Sequence, residues 1–248
     1  MKILFVALTL FISILQADTI NIAVAANVSY AIDELKEEFE KTNPNTKVRV
    51  TLGSSGKLTA QIKNGAPYGL FMSANMKYPQ ALYDNKIAIT KPVVYAQGAL
   101  AYFSVKENDF TQGIKVLESA SIQRIAIANP KTAPYGKAAV LALQNAKIYN
   151  KVLPKLIYGE SISQTVSYAV TAADIGIIAK SSLYSSKMSQ YKESIHWSSV
   201  DSRLYTPIKQ GLVLLKYGEK APEYKAFYDF ILSEKAKTIF KKYGYIIP

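Results

Sequence analysis

The alternation of short β-rich runs with stretches of helical periodicity is the feature that most restricts the fold of this chain. Residues 19–25 (TINIAVA) alternate apolar and polar side chains, whereas residues 28–42 place apolar side chains one helical turn apart. The strand–helix–strand order then repeats, which predicts parallel sheets with helices on their faces. Further strands are predicted at 47–52, 70–73, 124–128, 155–158 and 175–179, and further helices at 58–62, 135–149 and 162–172.

The strand–helix pattern occurs in two separate halves of the chain, which predicts two α/β lobes. Strand-forming residues at 93–105 and 206–215 lie between the halves, and the second of these segments leads into a predicted terminal helix at 224–243. If that helix packs on the first half, the chain crosses between the lobes near Gly98 and near Thr206, and two crossing strands form a hinge with a cleft beneath it. The expected organisation is lobe 1 at 18–98 plus 206–248 and lobe 2 at 99–205.

The first 17 residues, MKILFVALTLFISILQA, predict a secretory signal peptide. One Lys precedes a short apolar run, and the run ends at a small residue, Ala17, with no charged stop-transfer flank after it. No other apolar stretch in the sequence is long enough to cross a bilayer. We therefore expect a soluble protein after export.

Composition excludes several classes of site. The sequence contains no Cys and one His, so disulfides, thiolate metal sites, cysteine nucleophiles and histidine-rich metal sites are excluded. The formal net charge is +12, but the basic residues are scattered, whereas nucleic-acid-binding proteins more often cluster them on one element. The 18 tyrosines could suggest a phenolate iron site, yet no cluster of Tyr with acidic residues stands at a predicted helix start. We expect no cofactor, no metal cation and no nucleic acid partner.

Four predicted helices begin directly after a predicted strand, two in each half of the chain. The preceding turns are 25–27 (AAN), 53–56 (GSSG), 133–136 (APYG) and 159–162 (GESI). Turns that follow parallel strands fall at the carboxyl edge of a sheet, where open α/β folds bind ligands. A helix N-terminus presents N–H donors and the positive end of the helix dipole, which suits an oxyanion without a neutralising Lys or Arg. The four turns therefore predict an oxyanion site.

Asn27 and Ser55 can add side-chain donors to such a site. A tetrahedral dianion offers only acceptors, so a site built of donors fits it. Helix capping is the alternative interpretation, because Asn27, Ser55 and Ser161 are each ordinary N-cap residues. Lys57 and Lys137 stand in the first turns of their helices and are either solvated or attract anions over a distance; we expect neither to contact the anion directly.

Four segments of the sequence together resemble the molybdate-binding proteins of periplasmic ABC transporters. They are AVAANVSYAIDELKEEFEK, GSSGKLTAQIKNGAPYGLFMSAN, IAIANPKTAPYGKAA and YGESISQTVSYAVTAADIGIIA. The resemblance implies an α/β, two-lobed type II periplasmic binding protein fold, in which each lobe is a mixed, mainly parallel sheet flanked by helices and two strands form the hinge. It further implies a monomeric, non-enzymatic carrier in the periplasm that binds molybdate or tungstate and delivers it to a membrane permease.

The same resemblance assigns the site residues. Asn27 stands where the family uses a Ser or Asn donor, and Ser55 matches the residue of the serine-rich turn. Tyr135 and Ile162 match residues whose backbone N–H groups contact the anion. Further candidates come from the same turns: Ala26, Ser54, Gly56 and Ser161.

Three positions depart from the family pattern. Ala179 stands where some members place an anion-contacting Tyr, so that contact is absent or replaced, and the hydroxyl group of Tyr135 is one candidate replacement. Gly69 and Asn75 stand where acidic residues are common, and the sequence does not explain that change.

Other functions stay open at this point. The same fold could bind sulfate, another oxyanion or a small organic anion. If the ligand is molybdate or tungstate, cavity size would discriminate against sulfate. An exported serine hydrolase would use Ser54 or Ser55 as its nucleophile. Its histidine base could only be His196, which lies near the second crossing, and GSSG lacks the spacing of a nucleophile elbow. The run 235–243 could bind a membrane, although it more simply packs one face on lobe 1.

Overall fold

The computed structural model describes residues 18–247 of the chain. The predicted signal peptide at 1–17 lies outside the described residues. Within residues 18–247, no helix is both long enough and apolar enough to span a bilayer.

The secondary structure follows the predicted alternation. The strands are β1 (Asp18–Ala25), β2 (Thr46–Gly53), β3 (Leu70–Ser73), β4 (Val93–Gly98), β5 (Leu100–Phe103), β6 (Ile125–Ala128), β7 (Leu156–Gly159), β8 (Ile175–Ala179), β9 (Trp197–Ser199) and β10 (Ile208–Leu214). The α-helices are α1 (Ile32–Thr42), α2 (Ser55–Lys63), α3 (Lys77–Asp84), α4 (Pro134–Asn145), α5 (Tyr149–Val152), α6 (Ile162–Thr171), α7 (Pro222–Ile231) and α8 (Glu234–Lys242).

Residues 18–247 form two sheets of five strands each, in the orders β2-β1-β3-β10-β4 and β7-β6-β8-β5-β9. In the first sheet, β1 is parallel to β2 and β3, and β10 is antiparallel to β3 and β4, so four of the five strands share one direction. The second sheet repeats this arrangement, with β5 as its reversed strand. The predicted α/β fold with two mixed, mainly parallel sheets is confirmed.

The chain passes between the two sheets at two places. It leaves the first sheet between β4 and β5, at Ala99, and returns through residues 200–207 before β10. Gly98 is needed at the first passage, because a Cβ atom there would lie 1.9 Å from the hydroxyl oxygen of Tyr135. The limits of the two lobes, 18–98 plus 206–248 and 99–205, stay a prediction.

The central strands are buried on both faces. All four residues of β6 and all five of β8 are buried, as are the last four residues of β1. Continuous buried runs are typical of parallel strands that are covered by helices on both sides. Packing on both faces holds these strands in place, and it therefore also positions the turns at their carboxyl ends.

The predicted terminal helix at 224–243 is wrong in one respect, because two helices occupy this segment. The break falls between α7 and α8, where the hydroxyl oxygen of Ser233 accepts a hydrogen bond from the N–H of Ala236 at 3.3 Å and so caps α8. Ile239 and Phe240 of α8 are buried, and the ring of Phe240 lies 5.3 Å from that of Tyr95 on β4. The apolar face of α8 therefore packs on the first sheet, as predicted.

Two other predicted helices have different bounds in the structure. The helix predicted at 135–149 ends at Asn145, because Lys147 adopts a left-handed backbone conformation with φ of 60°. Residues 28–42 do not form one helix: a 3₁₀ helix at Ala26–Tyr30 precedes α1. Asn27 accordingly lies in the 3₁₀ helix and not at the start of α1.

Candidate functional site

The turns that follow four parallel strands meet around one small cavity. β1 and β2 are neighbours in the first sheet and β6 and β7 are neighbours in the second, so each sheet contributes two turns from its carboxyl edge. The four primary candidates all line this cavity: Asn27, Ser55, Tyr135 and Ile162. The other lining residues are Ala25, Ala26, Gly53, Ser54, Ala74, Ala133 and Pro134.

Asn27 is fully buried and its amide nitrogen is engaged by other side chains. Nδ2 of Asn27 donates to Oε1 of Gln210 at 2.9 Å and to the hydroxyl oxygen of Tyr245 at 3.1 Å. The backbone carbonyl of Asn27 accepts from the hydroxyl group of Tyr245 at 2.8 Å and from that of Ser181 at 3.3 Å. Oδ1 of Asn27 is buried without a hydrogen-bond partner.

Ser54 and Ser55 are both buried at the start of α2, but their hydroxyl groups differ in their contacts. The hydroxyl oxygen of Ser55 accepts a hydrogen bond from the N–H of Ala74 at 2.9 Å, and its proton remains available as a donor. The hydroxyl oxygen of Ser54 has no partner. Ser54 is the N-cap residue of α2, yet its side chain makes no capping hydrogen bond.

Gly56 and Ser161, two of the secondary candidates, do not line the cavity. The N–H of Gly56 instead donates to the carbonyl oxygen of Thr132 at 2.9 Å, which joins the start of α2 to the segment before α4. The hydroxyl oxygen of Ser161 accepts from the N–H of Gln164 at 3.3 Å and caps α6. Capping therefore accounts for Ser161 but for neither Asn27 nor Ser55.

Tyr135 and Ile162 bring the first turns of α4 and α6 to the cavity. Their N–H groups lie where a helix supplies no acceptor of its own, so they are available to a ligand. The Tyr135 side chain is buried, and its hydroxyl oxygen accepts from Nε2 of Gln210 at 3.3 Å. Burial raises the pKa of this hydroxyl group well above its ordinary value, so Tyr135 is neutral at physiological pH.

Two buried polar atoms of cavity-lining residues have no hydrogen-bond partner, Asn27 Oδ1 and Ser54 Oγ. In residues 18–247 there are two more such atoms, Thr132 Oγ1 beside the lining residue Ala133 and the hydroxyl oxygen of Tyr102, which does not line the cavity. Each such group costs about 1–3 kcal/mol if it stays unsatisfied. A ligand that accepts a hydrogen bond from the hydroxyl group of Ser54 would remove this cost at that atom.

Thr132, Ala74 and Gln210 are site features that sequence reasoning missed. Ala74 follows β3 at the same edge of the first sheet, so the rule used for the other turns could have identified it. Nothing in the sequence marks Gln210, which reaches Asn27 from a strand 183 residues away.

The cavity contains no formal charge among its lining residues, but a basic cleft adjoins it. Ala74, Ala133 and Pro134 line both the cavity and a cleft of about 570 Å³. Four exposed lysines also line the cleft: Lys77, Lys131, Lys137 and Lys209. In the described part of the chain, no acidic residue lines it. Lys57, by contrast, is paired with Glu160 in an exposed salt bridge between α2 and the turn before α6.

The geometry does not favour a serine nucleophile. Nδ1 of His196 accepts from the N–H of Lys192 at 3.2 Å, and the His196 ring lies 5.5 Å from that of Tyr191. In residues 18–247, no hydrogen bond joins His196 to Ser54 or Ser55, so the pair that such a hydrolase requires is not assembled.

Comparison with known proteins assigns the chain to a family. Residues 20–246 match the model of the family described as "Bacterial extracellular solute-binding protein". The chain belongs to this family.

Curated relatives of this solute-binding protein are molybdate-binding proteins. The molybdate-binding protein ModA of Azotobacter vinelandii is 34% identical over 93% of this chain and 90% of its own length. The ModA protein of Rhodobacter capsulatus is 35% identical over 90% of this chain and 86% of its own length. Among solved structures, the periplasmic molybdate-binding protein of Azotobacter vinelandii superposes with a TM-score of 0.85 at 30% identity, covering 92% of this chain and 99% of that one.

Two of the three departures from the family pattern have a structural explanation in this solute-binding protein. A Cβ atom at Gly69 would lie 2.4 Å from the ring of Tyr224, so no acidic side chain fits there. Oδ1 of Asn75 accepts from the N–H of Tyr78 at 3.2 Å, and a neutral amide at this position leaves the lysine-lined cleft without a negative charge. Ala179 is buried at the end of β8 and is not among the cavity-lining residues.

Proposed function

We propose that this protein is the periplasmic solute-binding component of an ABC importer, and that it binds molybdate or tungstate and delivers the anion to a membrane permease. The anion is held between two lobes by N–H groups of helix starts and by hydroxyl and amide donors. Asn27, Ser55, Tyr135 and Ile162 are the main ligands, and Ser54 is a further one. No catalysis is proposed for the site.

The observation that carries this proposal is a cavity that no charged side chain lines and that is bordered by the buried, unpartnered hydroxyl group of Ser54, the hydroxyl group of Ser55 and the first turns of α4 and α6. Hydroxyl donors and first-turn N–H groups from both halves of the chain converge on one point. Such a site stabilises an anion by oriented dipoles, and it favours a guest that only accepts hydrogen bonds. Sequence identity of 34–35% to two ModA proteins, over at least 90% of this chain, supports molybdate as the guest.

Calorimetric titration of residues 18–248 with molybdate, tungstate, sulfate and phosphate tests the proposal. We expect tight binding of molybdate and tungstate, with sulfate and phosphate much weaker. A preference for sulfate would replace the ligand while keeping the site. Absence of binding to all four anions would reject the proposed function.

A further inference from the structure

Gln210 is a buried side chain that contacts one cavity-lining residue from each half of the chain. Its Oε1 accepts from Nδ2 of Asn27 at 2.9 Å and from the hydroxyl group of Tyr95 at 2.7 Å. Its Nε2 donates to the hydroxyl oxygen of Tyr135 at 3.3 Å. Gln210 is fully buried on β10, the strand of the first sheet that follows the second passage between the sheets, so its orientation is tightly restricted.

The amide orientation of Asn27 is incompatible with an anion in the cavity. In this orientation Nδ2 faces Gln210 and Tyr245, and Oδ1 is left buried without a partner. Oδ1 is an acceptor only, so it cannot donate to an oxyanion and would repel one. A rotation of the amide by 180° exchanges the two atoms and turns Nδ2 to the place that Oδ1 holds.

Asn27 cannot rotate alone. Its Oδ1 would then face Oε1 of Gln210, and two acceptors would meet within about 3 Å in a buried site. If Gln210 rotates as well, its Nε2 donates to Oδ1 of Asn27 and to the hydroxyl oxygen of Tyr95. The hydroxyl group of Tyr135 then donates to Oε1 of Gln210, because a tyrosine hydroxyl can donate as well as accept.

The exchange leaves one hydrogen bond between Tyr245 and Asn27 in place of two. The hydroxyl group of Tyr245 lies 3.1 Å from the amide nitrogen position of Asn27 and 2.8 Å from its carbonyl oxygen, so its proton can reach either oxygen of Asn27. The concerted rotation therefore costs one hydrogen bond to Tyr245 and leaves the hydroxyl proton of Tyr95 without its acceptor, while it releases one amide donor of Asn27 for a ligand. Only a bound anion that accepts from this donor offsets that cost, so the orientation with Nδ2 on Gln210 is favoured without a ligand.

We propose that Gln210 is a positioning residue that sets the amide orientation of Asn27, and that anion binding selects the arrangement in which Asn27 Nδ2 donates to the anion. In this arrangement the hydroxyl proton of Tyr135 points at Gln210. Tyr135 then contributes its backbone N–H to the anion, and its hydroxyl group does not replace the contact that is absent at Ala179. The inference rests on the proposed function, since it requires an oxyanion in this cavity.

A double-mutant cycle tests this coupling. The cycle uses two single variants and the double variant. Gln210→Met keeps the side-chain volume but removes both the amide oxygen and the amide NH₂ group. Asn27→Ser replaces the amide by a single hydroxyl group, which does not need to be oriented by Gln210. Titration uses molybdate or whichever of the four oxyanions the wild-type protein binds most tightly. With Asn27 present, we expect Gln210→Met to weaken binding roughly tenfold to a hundredfold, as for loss of one hydrogen bond to a charged group.

In the Asn27→Ser background, the same Gln210→Met change should weaken binding less than about threefold, within the usual limit of additivity. An equal loss in both backgrounds would mean that Gln210 acts by supporting the fold, and it would overturn this inference while leaving the proposed function intact. Failure of the wild-type protein to bind any of the four oxyanions would overturn both.

A measurement on the wild-type protein keeps the test independent of how the variants fold. In ¹⁵N-correlated NMR spectra, anion addition should shift the side-chain amide signals of Asn27 and Gln210 together. The side-chain amide of Asn145, which donates to the carbonyl oxygen of Leu204 on the surface, serves as the control and should not move. Unchanged Asn27 and Gln210 signals in the presence of shifted backbone N–H signals at Tyr135 and Ile162 would overturn the inference.

Discussion

Ser54 and Ser55 are adjacent residues whose hydroxyl groups have different relations to the fold. Ser55 Oγ already accepts the N–H of Ala74, so it contributes to the structure whether or not a ligand is bound. Ser54 Oγ is buried, lines the cavity and has no partner. A hydroxyl group in that position destabilises the unliganded protein and gains a hydrogen bond only from a ligand. The two serines can therefore be separated by experiment.

Ser54→Ala should weaken molybdate binding roughly tenfold to a hundredfold without lowering the free energy of unfolding, because the lost hydrogen bond exists only with the anion bound. Calorimetric titration and urea unfolding measure the two quantities. Ser233→Ala is the matched control: it removes the cap of α8, so it should lower stability by about 1 kcal/mol and leave affinity unchanged. If Ser54→Ala lowered stability and kept full affinity, the assignment of Ser54 as a ligand would be wrong.

Tyr245 makes the free energy of unfolding depend on pH in the alkaline range. Burial raises the pKa of Tyr245 to about 12, whereas an unfolded tyrosine titrates near its ordinary value of 10. Because the folded protein favours the neutral form, Tyr245 contributes to the free energy of unfolding. This contribution is fully present below about pH 10 and is lost as the pH rises through about 12. The free energy of unfolding should thus fall more steeply over this range in the wild-type protein than in Tyr245→Phe.

The control for Tyr245→Phe is Tyr217→Phe, at a tyrosine whose side chain is 59% exposed. Urea unfolding at a series of pH values measures all three proteins, and Tyr217→Phe should retain the wild-type slope. Equal slopes for Tyr245→Phe and the wild-type protein would show that Tyr245 is not the titrating group.

At the scale of elements, the start of α2 connects the two halves of the protein. The N–H of Gly56 donates to the carbonyl oxygen of Thr132, and a Cβ atom at Gly56 would lie 3.0 Å from that oxygen and 2.8 Å from the hydroxyl oxygen of Tyr78. The bare GSSG turn thus permits an approach of backbone to backbone that any side chain would hinder. In this structure Gly56 joins the two halves and does not line the cavity.

Gly56→Ala should weaken molybdate binding about tenfold or more, because its methyl group holds α2 away from Thr132 and keeps the cavity from closing. The free energy of unfolding should change by less than about 1 kcal/mol, because the preference for Ala over Gly in a helix offsets part of the cost of crowding Thr132 and Tyr78. Titration and urea unfolding test both statements, with Ser233→Ala as a control that removes the cap of α8 and lowers stability alone. Wild-type affinity in Gly56→Ala would show that this contact does not limit closure.

The elements and the position of the site were accessible from the sequence because they depend on local patterns. Strand and helix periods predicted the two sheets, and the strand-end rule predicted that four turns meet at one site. The choice of Asn27, Ser55, Tyr135 and Ile162 within these turns came from the family resemblance, and all four line one cavity in the structure. The break at Ser233 was overlooked, although its serine is an ordinary N-cap signal. Contacts made by Gln210 could not be predicted, because they join residues far apart in sequence whose mutual orientation follows only from the packed fold.

At the scale of the whole molecule, the charge near the cavity is arranged as a gradient. The cavity itself has no charged lining residue, and the cleft that adjoins it carries Lys77, Lys131, Lys137 and Lys209. In residues 18–247, none of these four lysines forms a salt bridge with a carboxylate. A cleft lined by charge of one sign concentrates field lines and raises the rate at which an oppositely charged ligand arrives.

Replacement of these four lysines by glutamine should therefore slow association more than it speeds dissociation. We expect the association rate constant for molybdate to fall about tenfold at low salt and to lose most of its dependence on ionic strength, because screening acts on the charges that were removed. Stopped-flow tyrosine fluorescence across a salt series measures both rate constants.

The matched control replaces Lys91, Lys115, Lys187 and Lys220, four exposed lysines that do not line the cleft, and so changes the net charge by the same amount. If the control slowed association as much as the cleft variant did, net charge and not the cleft would govern capture. If the cleft variant instead dissociated faster with an unchanged association rate, its lysines would contact the bound anion, and the separation between attraction by charge and retention by dipoles would fail.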